Sequence, residues 1–239
     1  MPTKTILVLA NSLKAGGRCI AGREILWRAD GRYYFGPWIR PVSAHGTGEL
    51  YLEETCRADD TPVAVMDFAS VELIDNCGEK CQPENWIIKG PRAWAAPARA
   101  IKAAPIAALE EHPAGLWLDP GEVSDRITPD RLRAIPEPFS LAVIRPTDLE
   151  LGWWVEENRF KKRLQKKFRA RFTYNHMRYD LSLTDPAGSD RFCVPAAQER
   201  DPPRKLTLKT ENGPLLCVSL TPLFGGFHYK VAATILGCD

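Results

Sequence analysis

Residues 5–41 read TILVLANSLKAGGRCIAGREILWRADGRYYFGPWIRP, and this stretch decides the fold class. It contains three runs rich in β-branched and aromatic residues, at 5–11, 18–27 and 33–40. Two turn signals, Gly16-Gly17 and Asp30-Gly31, separate these runs. Short runs of this composition between turn residues are typical of strands joined as hairpins. The chain therefore begins as a β meander.

Strand-like runs continue on both sides of a different central segment. A run at 62–74 completes a first β unit, which we place at residues 1–90. Residues 91–137 are alanine-rich and interrupted by prolines, and Thr128-Pro129 predicts a helix start, so we interpret them as a linker with short helices. Further strands are predicted within 138–239, at 140–144, 151–155, 179–184, 205–210, 215–220 and 229–236. Asn212-Gly213 predicts a hairpin between the runs at 205–210 and 215–220.

Composition supports a mainly β globular protein. The 239 residues include 20 prolines and 17 glycines, which suit many short strands joined by turns. No apolar run approaches the roughly 18 residues of a membrane span, and residues 5–10 are too short for a signal sequence. Seven cysteines, an odd number, favour reduced thiols over a disulfide framework. We therefore expect a cytoplasmic protein with no membrane partner.

The strongest local signal is a basic run at 159–171, although the net charge of the chain is only +2. It holds eight basic residues and no carboxylate: Arg159, Lys161, Lys162, Arg163, Lys166, Lys167, Arg169 and Arg171. Phe160, Leu164 and Phe168 recur at four-residue spacing, which predicts a short helix that packs its apolar stripe on the barrel. The exposed cations would then bind polyphosphate, the alternative being a solvated basic face.

Aromatic residues flank this run and predict stacking platforms. The candidates are Trp153, Trp154, Tyr174 and His176, of which we expect Tyr174 and His176 to be exposed. A weaker anion-binding patch is predicted for Arg18 and Arg23 near Gly16-Gly17, with a plain hairpin turn as the alternative. Arg40, at the end of a strand, is added to this patch because a guanidinium suits bidentate contacts.

Other chemistry has weaker support in the sequence. Cys77 and Cys81 lie four residues apart and could contribute to a zinc site, but no second close pair exists, so ordinary thiols are favoured. A magnesium-dependent nuclease would need carboxylates, and the only plausible set has no recognisable spacing: Glu49, Asp67, Asp75 and Glu84. Phosphate-cradling, dinucleotide-binding and nucleophile-elbow motifs are absent. We therefore expect no cofactor, no metal and no catalysis.

Several motifs resemble the dual OB-containing family of prokaryotic proteins. In the first half these are Leu7-Val8-Leu9-Ala10-Asn11-Ser12 and Trp38-Ile39-Arg40-Pro41-Val42-Ser43. In the second half they are Arg171-Phe172-Thr173-Tyr174-Asn175, Tyr179-Asp180-Leu181-Ser182-Leu183 and His228-Tyr229-Lys230-Val231-Ala232-Ala233. The resemblance implies tandem OB barrels and nucleic-acid binding, with phage defence or other conflict loci as the setting. It assigns no reaction.

Together these observations predict two OB-like β barrels, at 1–90 and 138–239, joined by the partly helical linker at 91–137. The predicted function is non-catalytic binding of DNA or RNA, through single strands or backbone phosphates, at the basic segment of the second domain. The alternative is an adaptor that docks an ATPase or another effector protein. A metal-dependent nuclease is the least favoured hypothesis.

Overall fold

A computed structural model describes residues 1–14, 16–79, 81–103, 105–117, 125–136, 139–158, 162–192, 203–209 and 213–237. Strands account for 53% of the chain and helices for 10%, which confirms the mainly β prediction. Two compact units divide the chain, Met1–Ala104 and Pro105–Asp239. The boundary falls inside the stretch interpreted as a linker, because parts of that stretch pair with the strands of each unit. No helix among the described residues is long and apolar enough to span a membrane.

The first unit is a closed five-stranded barrel. Its strands are β1 (Thr3–Lys14), β2 (Gly17–Trp27), β3 (Tyr33–Val42), β4 (Phe68–Asn76) and β5 (Asn85–Ile88), with a short 3₁₀ helix at Leu52–Thr55 and a two-residue strand β6 (Trp94–Ala95). The order β1-β2-β3-β5-β4 closes because β4 also pairs with β1. Strands β3 and β5 are parallel, and the other neighbours in the barrel are antiparallel. This is the Greek-key barrel of an OB fold.

Alternating apolar side chains fill this barrel. The buried cluster includes Ile6 and Val8 of β1, Ile20 of β2 and Ile39 of β3. Burial of each such side chain contributes about 1.5–3 kcal/mol to folding, so the barrel has a core of its own. Trp94 of β6 closes the cluster, and its indole N–H donates to the Glu54 carbonyl at 2.8 Å.

The second unit is a larger sheet. Its strands are β7 (Arg126–Ile127), β8 (Leu141–Ile144), β9 (Thr147–Asn158), β10 (Arg163–Tyr174), β11 (Met177–Leu183), β12 (Arg204–Thr207), β13 (Leu215–Leu220) and β14 (His228–Leu236). Its helices are α1 (Pro129–Ala134), α2 (Pro186–Phe192) and a 3₁₀ turn at Ile106–Leu109. The strand order is β12-β9-β10-β11-β14-β13-β8, and β7 pairs with β14.

The central five strands of this sheet repeat the order of the first barrel. β9, β10, β11, β13 and β14 correspond to β1 to β5, and the third and fifth strands, β11 and β14, are again parallel. The two units differ where the first barrel closes. In the second unit β12 pairs with β9 and β8 pairs with β13, and no pairing joins β9 to β13 among the described residues. The second unit is therefore an open version of the same fold.

The helix predicted for the basic run is wrong. Residues 163–174 form strand β10, which pairs with β9 and β11. A spacing of four residues satisfies the period of two of a strand as well as that of a helix. The even-numbered Ala170, Phe172 and Tyr174 continue the pattern and are buried, which only a strand explains.

The hairpin predicted at Asn212-Gly213 is also wrong, since β12 pairs with β9 whereas β13 pairs with β14 and β8. Asn212 itself lies outside the described residues. The helix start at Thr128-Pro129 is confirmed: α1 begins at Pro129, and the Thr128 hydroxyl accepts from the Arg131 N–H. A capping hydroxyl bonds to a backbone N–H only a few residues away, so the local sequence is enough to predict it. A hairpin forms only when its two strands are partners in the sheet, which depends on the rest of the chain.

Candidate nucleic-acid interface

Three basic residues of β10 lie on its outer side, whereas Lys166 shares the other side with Phe168 and Ala170. Ala170 and Phe172 point into the core, so Lys167, Arg169 and Arg171, which alternate with them, face outward. The β9–β10 register extends this surface, because Trp154 lies opposite Lys167. Strand alternation thus turns part of the basic run into one charged face.

Two arginines on this face are paired with carboxylates from neighbouring strands. Arg171 lies between Glu150 of β9, at 3.0 Å, and Asp180 of β11, at 3.2 Å. Arg169 contacts Asp180 at 2.7 Å and Asp125 at 3.3 Å. The hydrogen bond from Arg171 lowers the pKa of Glu150, and the same carboxylate raises the pKa of Arg171. The basic run itself contains no acidic residue, but carboxylates from elsewhere in the second unit pair with two of its arginines.

Other cations of this region keep their charge uncompensated. Lys162, Lys166 and Arg178 are exposed, and none makes an ion pair within the described part of the chain. Lys167 is intermediate: its ammonium lies 3.5 Å from the half-exposed Glu156 carboxylate. Lys162, Lys166 and Arg178 can therefore meet phosphates without first breaking an ion pair, whereas Lys167 would have to leave Glu156.

Arg159 and Lys161 lie outside the described residues, and Arg163 is described only as part of the β10 backbone.

The predicted stacking residues separate into inner and outer ones. The exposure predicted for Tyr174 is wrong: it is 7% exposed, and its hydroxyl donates to the Pro113 carbonyl at 2.8 Å. Trp153 is also buried, because its register partner Phe168 lies on the core side of β10. Trp154 is half-buried on the outer face, where its indole N–H donates to Glu156 at 2.8 Å and lowers the pKa of that carboxyl.

His176 is exposed, as predicted, in the two-residue turn between β10 and β11. Both turn residues, Asn175 and His176, have positive φ angles, of 47° and 64°. Such a pair is the signature of a type I′ hairpin turn. Asn175 is fixed further by its amide, which donates to the carbonyls of Pro113 and Ala114 at 3.1 Å.

A pocket of about 540 Å³ lies on β9, β10 and β11 near this turn. Its charged lining comprises Asp148, Glu150, Arg171, Arg178 and Asp180. Phe172 and Tyr179 also line it, so the pocket offers a ligand both signs of charge and aromatic carbon.

Sequence reasoning missed the loop between β13 and β14. Leu223 and Phe224 are 57% and 75% exposed there. Phe224 and Phe227 exchange backbone hydrogen bonds of 2.8 and 3.1 Å across Gly225 and Gly226, which both have positive φ. The Gly-Gly pair between two phenylalanines was the available signal. Because β14 is parallel to β11 and β11 is antiparallel to β10, this loop lies at the opposite end of the strands from the start of β10.

The weaker patch predicted in the first unit is only partly on the surface. Arg40 is wrong as a surface contact: it is buried and forms an ion pair with the buried Glu84 at 3.0 Å. Arg23 is half-buried, donates to the Gly36 carbonyl at 2.6 Å and lies over the Trp38 ring. Arg18 is half-buried at the start of β2, where its backbone bridges to Leu50.

The structure also places the groups considered for metal binding. Among the described residues, no three His, Cys, Asp or Glu side chains cluster closely enough to hold a metal ion. Burial raises the pKa of the Cys77 and Cys81 thiols, which opposes the thiolate form that zinc requires. Asp67 is engaged by Arg57 at 2.5 Å, and Glu84 by Arg40.

Comparison with known proteins agrees with the strand topology. The family model of the dual OB-containing domain matches residues 4–235, nearly the whole chain. Searches of the curated proteins and of the solved structures found no significant match. OB domains commonly bind oligonucleotides or oligosaccharides on the second and third strands and the loops beside them, which is where the basic run lies in the second unit. The chain belongs to the dual OB-containing domain family.

Proposed function

We propose that this protein binds nucleic acid without cleaving it, through the outer face of β9, β10 and β11 and the exposed Lys162 and Lys166 at the start of β10. One observation carries the proposal: residues 163–171 of the densest basic run of the chain lie on β10, which takes the place of the second strand of an OB unit. That strand is an element with which OB domains contact oligonucleotides.

The charges divide into two groups with different roles. Lys162, Lys166 and Arg178 neutralise phosphates, since no carboxylate among the described residues holds them. Arg169 and Arg171 organise the face, because their guanidinium groups are already shared between strands. A phosphate could replace a carboxylate at these arginines only by exchange, which returns less free energy than neutralising an unpaired cation.

Phosphate contacts carry no sequence information, so we propose binding with little sequence preference. Trp154, half-buried on the outer face, and the exposed His176 in the β10–β11 turn are the rings beside this face that could stack on bases. DNA and RNA present the same phosphate chemistry, and titration of both decides between them.

The test is fluorescence anisotropy with labelled single- and double-stranded DNA and RNA at several salt concentrations. The variant Lys162→Gln/Lys166→Gln/Lys167→Gln should lower affinity for every ligand and reduce the salt slope by about two to three, since each phosphate contact contributes about 0.7–0.9. The matched control is Lys89→Gln/Arg92→Gln/Arg133→Gln, which removes the same charge at exposed sites paired with Glu72, Asp60 and Asp130. Wild-type affinity in the first variant, or an equal loss in the control, would contradict the assigned site.

The setting of this function rests on narrower support. A cytoplasmic location and a role in prokaryotic phage defence are part of the proposal, and they rest on the sequence pattern and on the family resemblance. Absence of catalysis is likewise proposed, and incubation of a bound oligonucleotide with Mg²⁺ would test it by the appearance of cleavage products.

A second candidate function is an adaptor that docks an effector or ATPase. The observation that favours it is the exposure of Leu223 and Phe224, since two neighbouring apolar side chains exposed on a loop suit a protein contact. Failure of all four nucleic-acid ligands to bind at low salt would favour this candidate over nucleic-acid binding.

A further inference from the structure

The second unit leaves one edge of its sheet open. β12 is the last strand on the side of β9, in the place where the first barrel closes with β4. At the opposite edge the backbone of Val143 in β8 is covered by Glu111, whose N–H donates to the Val143 carbonyl at 2.6 Å and whose carboxylate accepts from the Val143 N–H at 2.9 Å. In contrast, no strand among the described residues pairs with the outer side of β12.

The register shows which backbone groups of β12 point away from the sheet. The Leu208 N–H donates to the Leu149 carbonyl at 2.9 Å, in line with the β9–β12 register. Hydrogen-bonded residues alternate along an antiparallel pair, so Leu206 also bonds to β9. The N–H and C=O groups of Lys205 and Thr207 therefore point outward. Neither makes a backbone hydrogen bond to a described residue.

Positive charge lies at both ends of this edge. Thr207 is opposite Glu150, so Lys205 and Thr207 lie on the outer face of the sheet. Lys205 contacts Glu150 at 3.2 Å but is still 59% exposed. Lys209, two residues beyond the strand, is exposed and makes no ion pair to a described residue. The edge thus presents two lysines beside unpaired backbone groups.

The other side of β12 is apolar and incompletely covered. Leu206 lies opposite Leu151, which is fully buried. Leu206 itself is 36% exposed, because no strand lies beyond β12 within the described part of the chain. An added strand would cover Leu206 with a side chain of its own.

Charge decides what kind of strand can pair here. Residues whose backbone groups point outward oppose each other in an antiparallel pair, and opposed residues share a face. A second copy of β12 would bring Lys205 and Lys209 of both chains to one face of the joined sheet. Like charges destabilise such a pair, and edge lysines are a common protection against self-association. A strand with carboxylates at these positions would instead be stabilised.

We propose that the β12 edge binds an extended segment of a partner protein, which adds to the sheet as a further strand and alternates acidic with apolar side chains. The backbone groups of Lys205 and Thr207 form the ladder, carboxylates lie opposite Lys205 and Lys209, and an apolar side chain covers Leu206. This inference goes beyond the proposed function, since nucleic acid has no peptide backbone to pair with the edge.

The probe is the fluorescein-labelled peptide Ser-Glu-Val-Thr-Val-Glu-Ser, and anisotropy measures its binding to the full chain. Its sequence is the same in both directions, so either strand orientation presents the same side chains. In register, its glutamates oppose Lys205 and Lys209, and one valine opposes Leu206. The peptides Ser-Lys-Val-Thr-Val-Lys-Ser, with like charges, and Ser-Glu-Glu-Thr-Val-Val-Ser, without alternation, should each bind at least about tenfold more weakly.

Thr207→Pro removes the outward N–H and no hydrogen bond to β9, so it should weaken binding of the glutamate peptide at least about tenfold. Thr207→Val, the matched control, keeps this N–H and should bind as wild type. Lys209→Glu changes an exposed side chain and leaves the ladder intact. It should weaken binding of the glutamate peptide and strengthen binding of the lysine peptide, each by about threefold or more.

Hydrogen exchange followed by NMR gives a readout that a contact between charges alone would not change. The glutamate peptide should slow exchange of the Lys205 and Thr207 amides, whereas the Leu206 amide, which already donates to β9, should change little.

Failure of the glutamate peptide to bind, or wild-type binding in both Thr207→Pro and Lys209→Glu, would overturn the inference. So would unchanged exchange of the Lys205 and Thr207 amides in the bound state. If Lys209→Glu weakens binding of labelled DNA or RNA but not of the peptide, the edge belongs to the nucleic-acid interface and the strand-docking site is wrong. The proposed function is tested separately, by the lysine variant of β10.

Discussion

At the scale of single residues, Asp180 shows how a carboxylate on a neighbouring strand neutralises part of a basic run. Its carboxylate accepts from Arg169 at 2.7 Å and from Arg171 at 3.2 Å. Along the sequence these arginines look uncompensated, because Asp180 lies nine and eleven residues away. Antiparallel pairing of β10 and β11 brings the three side chains together. The residues that stay available to a phosphate are therefore a subset of the predicted ones.

Glu150 should make stability depend on acid pH. The hydrogen bond from Arg171 lowers the pKa of Glu150 in the folded protein, so this carboxylate stabilises the fold at pH values above its unfolded pKa. That contribution is lost as pH falls through the lowered folded pKa. We expect Glu150→Gln to unfold with a smaller decrease in stability between neutral and acid pH than wild type. Urea unfolding at several pH values measures it, and parallel curves for the two proteins would contradict it.

The buried pair of Arg40 and Glu84 should be costly to break. Both side chains are 6% exposed, and their charged atoms are 3.0 Å apart. Arg40→Met leaves a carboxylate buried without its partner, which typically costs about 3–5 kcal/mol. Denaturant unfolding measures the loss. The exposed pair of Lys89 and Glu72 is the control, since Lys89→Met should cost about 1 kcal/mol or less.

At the scale of elements, β10 explains why an apolar spacing can mislead. Leu164 and Phe168 are four residues apart, which places them on one side of either a helix or a strand. The choice is made by Trp153 and Leu151 of β9, which pair with Phe168 and Ala170. Pairing with β9 buries alternate side chains of β10, and this burial outweighs the intrinsic helix preference of lysine and arginine.

The turn between β10 and β11 can be made more stable by a substitution that changes neither strand. His176 has a φ of 64°, which a type I′ turn requires and which glycine adopts without strain. We expect His176→Gly to raise the stability of the protein by up to about 1 kcal/mol, measured by thermal or denaturant unfolding. The same variant should weaken nucleic-acid binding if the imidazole stacks on a base. A destabilised variant would contradict the type I′ assignment.

At the scale of the whole molecule, the chain consists of two units built on one strand order. Each has the sequence of neighbours first, second, third, fifth and fourth, with the third and fifth strands parallel. The first closes into a barrel through β1 and β4, whereas β8 and β12 extend the second at its edges. The shared strand order does not determine which side chains lie on the outer surface of each unit.

The first unit should fold alone. Its core of isoleucines, valines and Trp94 lies entirely within Met1–Ala104, and its barrel has no open seam. A fragment of residues 1–104 should therefore show a β circular-dichroism spectrum and one cooperative unfolding transition. A fragment of residues 1–90, the predicted boundary, lacks Trp94 and should be less stable by several kcal/mol. Equal stability of the two fragments would contradict a structural role for β6.

The sequence by itself determined the mainly β class, most strand positions, the capped start of α1 and the place of the basic run, because these follow from local composition and from alternation along a strand. It also carried the family motifs, which coincide with paired strands in both units. Only the tertiary structure decided that the basic run is a strand, that Tyr174, Trp153 and Arg40 are buried, and that Arg169 and Arg171 are paired. Strand partners and ion-pair partners come from distant parts of the chain. The local sequence around a side chain therefore does not predict which partner it contacts.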